Sequence, residues 1–122
     1  MRDDRRRALA LGARAERMVC DHLEAEGWAI LATNARVGRL EIDIVARRGR
    51  TIAFCEVRSR RGSRGPHPLE TIDRAKRERI RRAALGWAIA HGVRGHALRF
   101  DAAAVLFEDT GEATLDYRAG AF

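Results

Sequence analysis

LEIDIVARRGRTIAFCEVR, residues 40–58, is the stretch on which the fold turns. Two alternating runs, Leu40 to Arg47 and Arg50 to Arg58, are joined at Arg48-Gly49, a pattern that predicts a β-hairpin. Parity sorts the side chains. In the first strand Glu41, Asp43 and Val45 share one face, with Ile42 and Ile44 on the other. In the second, Ile52, Phe54, Glu56 and Arg58 lie together, opposite Thr51, Ala53, Cys55 and Val57. A turn centred on Arg48-Gly49 pairs residues whose numbers sum to 97, so Glu41 faces Glu56 and Asp43 lies diagonal to Glu56. Three carboxylates then gather at one end of the strand pair. Like charges set opposite each other destabilise a sheet by up to about 1 kcal/mol. A divalent cation would offset that, and oxygen-rich carboxylate sites suit Mg²⁺ or Mn²⁺. A solvated face neutralised by Arg39, Arg58 and Arg60 is the other reading of the same residues.

Working outward, Arg5 to Glu26 reads as a helix stopped by Gly27, with Leu11, Ala15, Met18, Val19, His22 and Leu23 on its apolar arc. Trp28 to Ala35 reads as a strand. Arg60 to Pro68 (RRGSRGPHP) is a basic loop, and a second helix runs from about Leu69 to His91. His96 to Phe107 and Ala113 to Arg118 are the last two strands, separated by a turn at Asp109-Thr110-Gly111. The predicted class is α/β: a mixed β-sheet flanked by helices in the order α-β-β-β-α-β-β, occupying 1–122 as a single domain. Two helical residues sit oddly in these patterns. Glu16 lies at the edge of the first helix's apolar arc. Lys76 projects from the middle of a stripe made by Leu69, Ile72, Ala75, Ile80, Ala83, Trp87 and Ala90, where it must snorkel or meet an acid.

The chain has 122 residues, 46% of them apolar, and a formal charge of +7. Residues 47–82 hold 13 basic and 4 acidic residues, against 11 basic and 13 acidic elsewhere, so one contiguous third carries all the excess. Such a block suits a polyanion, most simply a nucleic acid, although an arginine-rich solvated face has the same composition. Trp28 and Trp87 read as core residues, and the few aromatics do not interleave with the basic run, which argues against a stacking platform for single strands. His22 reads as a core residue and His67 as a solvated loop histidine within reach of a phosphate. No stretch approaches the ~18 apolar residues of a membrane span, and Arg14 interrupts the N-terminal apolar run, so neither a membrane anchor nor a signal peptide is expected. Cys20 and Cys55 lack zinc or redox spacing and read as free thiols of a cytoplasmic protein.

LEIDIV followed by EVR resembles the D-x(n)-(D/E)-x-K signature of the PD-(D/E)XK nuclease superfamily. More closely, the chain is similar to the YraN-like uncharacterised protein family. Gly12 to Glu16, Leu40 to Val45, Phe54 to Arg58, Lys76, Arg99 to Asp101 and Ala121-Phe122 follow that family's landmarks in order. The resemblance implies a restriction-endonuclease-like core, related to archaeal Holliday-junction resolvases, that binds a divalent metal. It assigns Asp43 and Glu56 to the metal, with the Val57 carbonyl and Glu16 completing the set. Arg58 occupies the place of the superfamily's catalytic lysine, and Leu40 that of the family's glycine. Arginine stabilises charge but does not deprotonate, so Lys76, aimed at the same region, is the candidate substitute. The implied function is metal-dependent hydrolysis of DNA, branched or structured DNA included. Arg60, Arg61 and Arg64 of the loop, with Arg77 and Arg81 of the second helix, would grip the backbone, and a homodimer is expected by analogy with the resolvases. The alternatives are a non-catalytic nucleic-acid-binding module of the same fold and a protein-interaction domain whose charge serves solubility.

Overall fold

Short antiparallel connections and one long crossover build the sheet. In the computed structural model, which describes residues 2–62 and 64–122, helix α1 (Arg2–Ala25) precedes three strands, β1 (Ala29–Val37), β2 (Leu40–Arg48) and β3 (Thr51–Arg61). Met1 and Ser63, the latter within the basic loop, lie outside the described residues. A short 3-10 turn (Pro68–Thr71) and helix α2 (Arg74–Ala90) lead to β4 (Ala97–Phe107) and β5 (Ala113–Arg118). The five strands lie side by side in chain order. The α2 crossover lets β3 and β4 run parallel, while the other three pairs are antiparallel. The expected α/β class and element order are those observed.

Each helix covers one face. Ala15, Val19 and Leu23, spaced four apart on α1, pack with Ile44, Ala53, Cys55 and Val105. On the other face Ala83, Ala84 and Trp87 of α2 pack with Ile42, Val45, Ile52 and Phe54. A Cβ at Gly86 would stand 2.6 Å from Val37 Cγ1, so α2 approaches β1 this closely only with glycine there.

Three sequence expectations are corrected. The hairpin turn is Gly49-Arg50, with Arg48 opposite Thr51, so paired numbers sum to 99 instead of 97. Gly49 takes φ 59 at the first turn position, as a two-residue type II′ connection requires. The shift of two residues preserves parity and changes every partner: Val45 faces Phe54 and Ile44 faces Cys55. Glu41 therefore does not oppose Glu56.

Second, alternation does not hold along the whole of β2. Ile42 packs on the α2 side and Ile44 on the α1 side. The slip lies opposite Asn34, which β1 holds at φ 50 a little beyond its own register shift between Ile30 and Ala32. Third, the second helix is two pieces. Pro68 and Leu69 belong to the 3-10 turn, and α2 starts at Arg74 behind an Asp73 N-cap. Its buried stripe is Ile80, Ala83, Ala84, Trp87 and Ala88, while Ala75 and Ala90 are exposed.

Candidate metal and phosphate site

The β2–β3 ladder runs from Arg48↔Thr51 to Ile44↔Cys55. Just beyond it the Val57 amide donates to Asp43 Oδ2 at 2.8 Å, so the Asp43 carboxylate sits at the seam between the strands. Glu56, 5% exposed, is the other acid there. Its Oε1 meets Lys76 Nζ at 3.6 Å and Arg58 Nη2 at 3.4 Å. Asp43, Glu56, Arg58 and Lys76 are thus brought together. Lys76 arrives because Asp73 Oδ1 accepts from the Lys76 amide at 2.8 Å, which fixes the first turn of α2 over the acids. Arg58 Nε is buried with no hydrogen-bond partner among the described residues.

Burial and mutual repulsion dominate the electrostatics. Desolvation, then the neighbouring Asp43, raises Glu56 from 4.5 to about 7, against the pull of Lys76 and Arg58. Desolvation raises Asp43 too, opposed by the Val57 amide and by a hydrogen bond from Glu56. The pair is placed to share one proton.

Glu16 approaches from α1. With Gly12, Ala15, Asp43, Val57 and Ser59 it lines a cleft of about 90 Å³. Its Oε1 accepts from Asn34 Nδ2 at 2.8 Å, and burial followed by Asp43 raises its proton affinity. Among the described residues, no three Asp, Glu, His or Cys side chains stand close enough to hold one ion between them. The donor set nevertheless fits a hard, hydrated cation. Mg²⁺ typically takes one or two carboxylates and fills its remaining positions with water and substrate phosphate. Buried Glu56 and half-buried Asp43, both with raised proton affinity, have the chemistry for that role.

The arginines differ in what they touch. Arg58, Ser59, Arg60, Arg64, Pro66, Pro68 and Thr71 line a groove of about 400 Å³ that adjoins the acid pair through Arg58. Arg61 and Arg64 are exposed. Arg60 laces the loop, donating to the carbonyls of Gly62, Gly65 and Pro66. Arg77 donates from Nε to the Ile72 carbonyl at 3.1 Å, and both Arg77 and Arg81 lie 5.8 Å from the Phe122 ring centroid. His67 is not a free loop side chain. Its Nδ1 accepts from the Leu69 amide and its Nε2 lies 3.1 Å from Asp116 Oδ2, so it ties the loop to β5.

Two features escaped sequence reasoning. Asn34 touches Glu16, and its only sequence signal was a polar residue inside the run AILATNARV. Asp101, fully buried, accepts from Arg99 Nε and Nη2, the Tyr117 hydroxyl and the Gly120 amide. The Arg99–Asp101 landmark is therefore a clasp on β5 and the segment after it. Periodicity marks neither side chain as paired.

The fold and the cluster define an α/β domain whose adjoining strands β2 and β3 each contribute one acid of a pair countered by lysine and arginine. The chain belongs to Uncharacterised protein family UPF0102, whose pattern matches residues 15–105. A UPF0102 protein of Sorangium cellulosum is 53% identical over 116 residues, covering 93% of this chain and 81% of the relative. One of Acidothermus cellulolyticus is 39% identical, covering 93% of each chain, and one of Chlorobaculum tepidum is 41% identical, covering 79% of this chain and 74% of the relative. No described helix is long and apolar enough to cross a membrane.

Proposed function

We propose that this chain is a divalent-metal-dependent nuclease that hydrolyses phosphodiester bonds in DNA, branched or structured DNA included. The observation that carries the reading is the Asp43–Glu56 pair with Lys76 at 3.6 Å and Arg58 at 3.4 Å from one Glu56 oxygen, beside an arginine-lined groove. Asp43 and Glu56 are the residues to hold Mg²⁺ or Mn²⁺, with the Val57 carbonyl and Glu16 beside them. Such an ion supplies charge neutralisation at the phosphoryl oxygens and a more acidic water. Asp43 and Glu56, which repel each other when both are ionised, would be relieved of that repulsion by a bound cation. Lys76, and Arg58 through its planar fork, place positive charge where a phosphorane-like transition state gathers negative charge. Arg61 and Arg64 are free to take backbone phosphates, and phosphate contacts position a duplex without reading its sequence. Arg60 shapes the loop that presents them. Free Cys20 and Cys55 suit a reducing cytoplasm.

The second reading, a binding module without turnover, is favoured by one observation: Arg58 stands where a lysine would be expected, and a guanidinium does not exchange its proton. The test incubates purified protein with linear, nicked and four-way-junction DNA, and with a matched RNA, in Mn²⁺, Mg²⁺ or EDTA. Cleavage is expected with either metal, none with EDTA, and none for Asp43→Asn. DNA binding without cleavage under every metal would favour the binding module. Cleavage by Asp43→Asn at the parent's rate would remove the site assignment.

A further inference from the structure

Asn34 stands in the middle of β1 with φ 50, the only described residue other than glycine with positive φ. That conformation disfavours most L side chains, and asparagine is among the few that adopt it readily. Asn34 lies two residues beyond the register shift of β1 between Ile30 and Ala32. Thr33 pairs with Ile44 and Ala35 with Ile42, leaving Asn34 and Asp43 as the intervening residues of the two strands. The alternation slip in β2 falls at the same place, and Asp43 lines the cleft it shares with α1. From this irregular turn of the strand the Asn34 amide reaches across to α1 and donates to Glu16 Oε1 at 2.8 Å. One oxygen of Glu16 is thereby occupied and the carboxylate is held at the cleft wall beside Asp43.

We infer that Asn34 is a positioning residue: its left-handed backbone and its amide together fix Glu16 against Asp43, so that the two carboxylates address one hydrated divalent cation. The inference rests on the metal-dependent reading above. Asn34 donates to Glu16 and acts only through it. Partners that orient metal-site carboxylates typically change affinity 10- to 100-fold when removed. Backbone and amide contributions can be separated, because glycine keeps the positive φ and lacks the amide, while alanine lacks the amide and resists that φ.

The experiment titrates Mn²⁺ into the metal-free protein by calorimetry and measures the urea midpoint of the same samples. Asn34→Gly should bind Mn²⁺ about 10-fold more weakly than the parent with its midpoint unchanged. Asn34→Ala should show the same weakening and a lowered midpoint. Glu16→Gln should weaken binding comparably, and the Asn34→Gly, Glu16→Gln double variant should add little, since the two act as one unit. Parental Mn²⁺ affinity in Asn34→Gly, or losses that add fully in the double variant, would overturn the role of Asn34 alone. A parent protein that binds no Mn²⁺ would overturn the metal reading and this inference with it.

Discussion

At the scale of single residues, the site is made of side chains that violate the pattern around them. Asp43 and Glu56 interrupt apolar strands and Lys76 interrupts an apolar stripe, so all three were visible in the sequence. Asn34 was not, because what it does depends on a backbone dihedral and on a helix 18 residues away in the chain. Arg58 lies between these cases. Its guanidinium offers five donors, one of which, Nε, is buried without a partner among the described residues while Nη2 meets Glu56. Lysine at this position would keep the charge, remove the orphaned donor and present a compact ammonium to the acids. Arg58→Lys should therefore hold or raise the urea midpoint and cleave at least as fast as the parent in Mn²⁺. A slower variant with an unchanged midpoint would show that the planar fork itself is used on the phosphate.

Elements were legible in kind and less so in their ends and registers. The hairpin followed from alternation, yet its turn fell one residue later, because only the φ taken by Gly49 decides which two residues make the bend. Periodicity extends the apolar stripe of α2 back to Leu69, although the helix starts only behind Asp73, whose carboxylate accepts from the Lys76 amide. Leu69 and Ile72 are buried all the same, as part of the small cluster beneath the 3-10 turn. Periodicity reports burial and does not distinguish one helix from two short ones. The cap makes a direct prediction. Asp73→Ala should destabilise the protein by about 1 kcal/mol in urea unfolding, the usual effect of losing an N-cap oxygen. It should also slow cleavage more than that stability loss explains, since the frayed turn carries Lys76. Cleavage unchanged at a temperature where the variant is fully folded would separate Lys76 from the chemistry.

For the whole molecule, Glu56 buried on the central strand beside Asp43 makes stability depend on pH. Between 4.5 and about 7, folded Glu56 retains a proton that the unfolded chain has released. Its contribution is thus fully present below 4.5 and is lost as pH rises through about 7, a change on the order of 3 kcal/mol. Asp43 and Glu16, both raised by burial, act in the same direction. Thermal midpoints of the metal-free protein should fall between pH 5 and pH 8, less steeply for Glu56→Gln, and added Mn²⁺ should restore the parent most at the alkaline end. A Glu56→Gln profile parallel to the parent's would place the pH dependence elsewhere. The parallel β3–β4 pair has a consequence of another kind, in the order of folding. The β2–β3 hairpin closes over a two-residue turn, whereas β3 meets β4 only after the basic loop and α2 have been traversed. Local contacts form sooner than distant ones, so during folding the apolar run Ile52–Cys55 waits with one strand edge unpaired. Glu56, Arg58, Arg60 and Arg61 follow it directly, and their charges discourage another copy from pairing along that edge. The charged side chains at the end of β3 thus also guard the nascent sheet against aggregation.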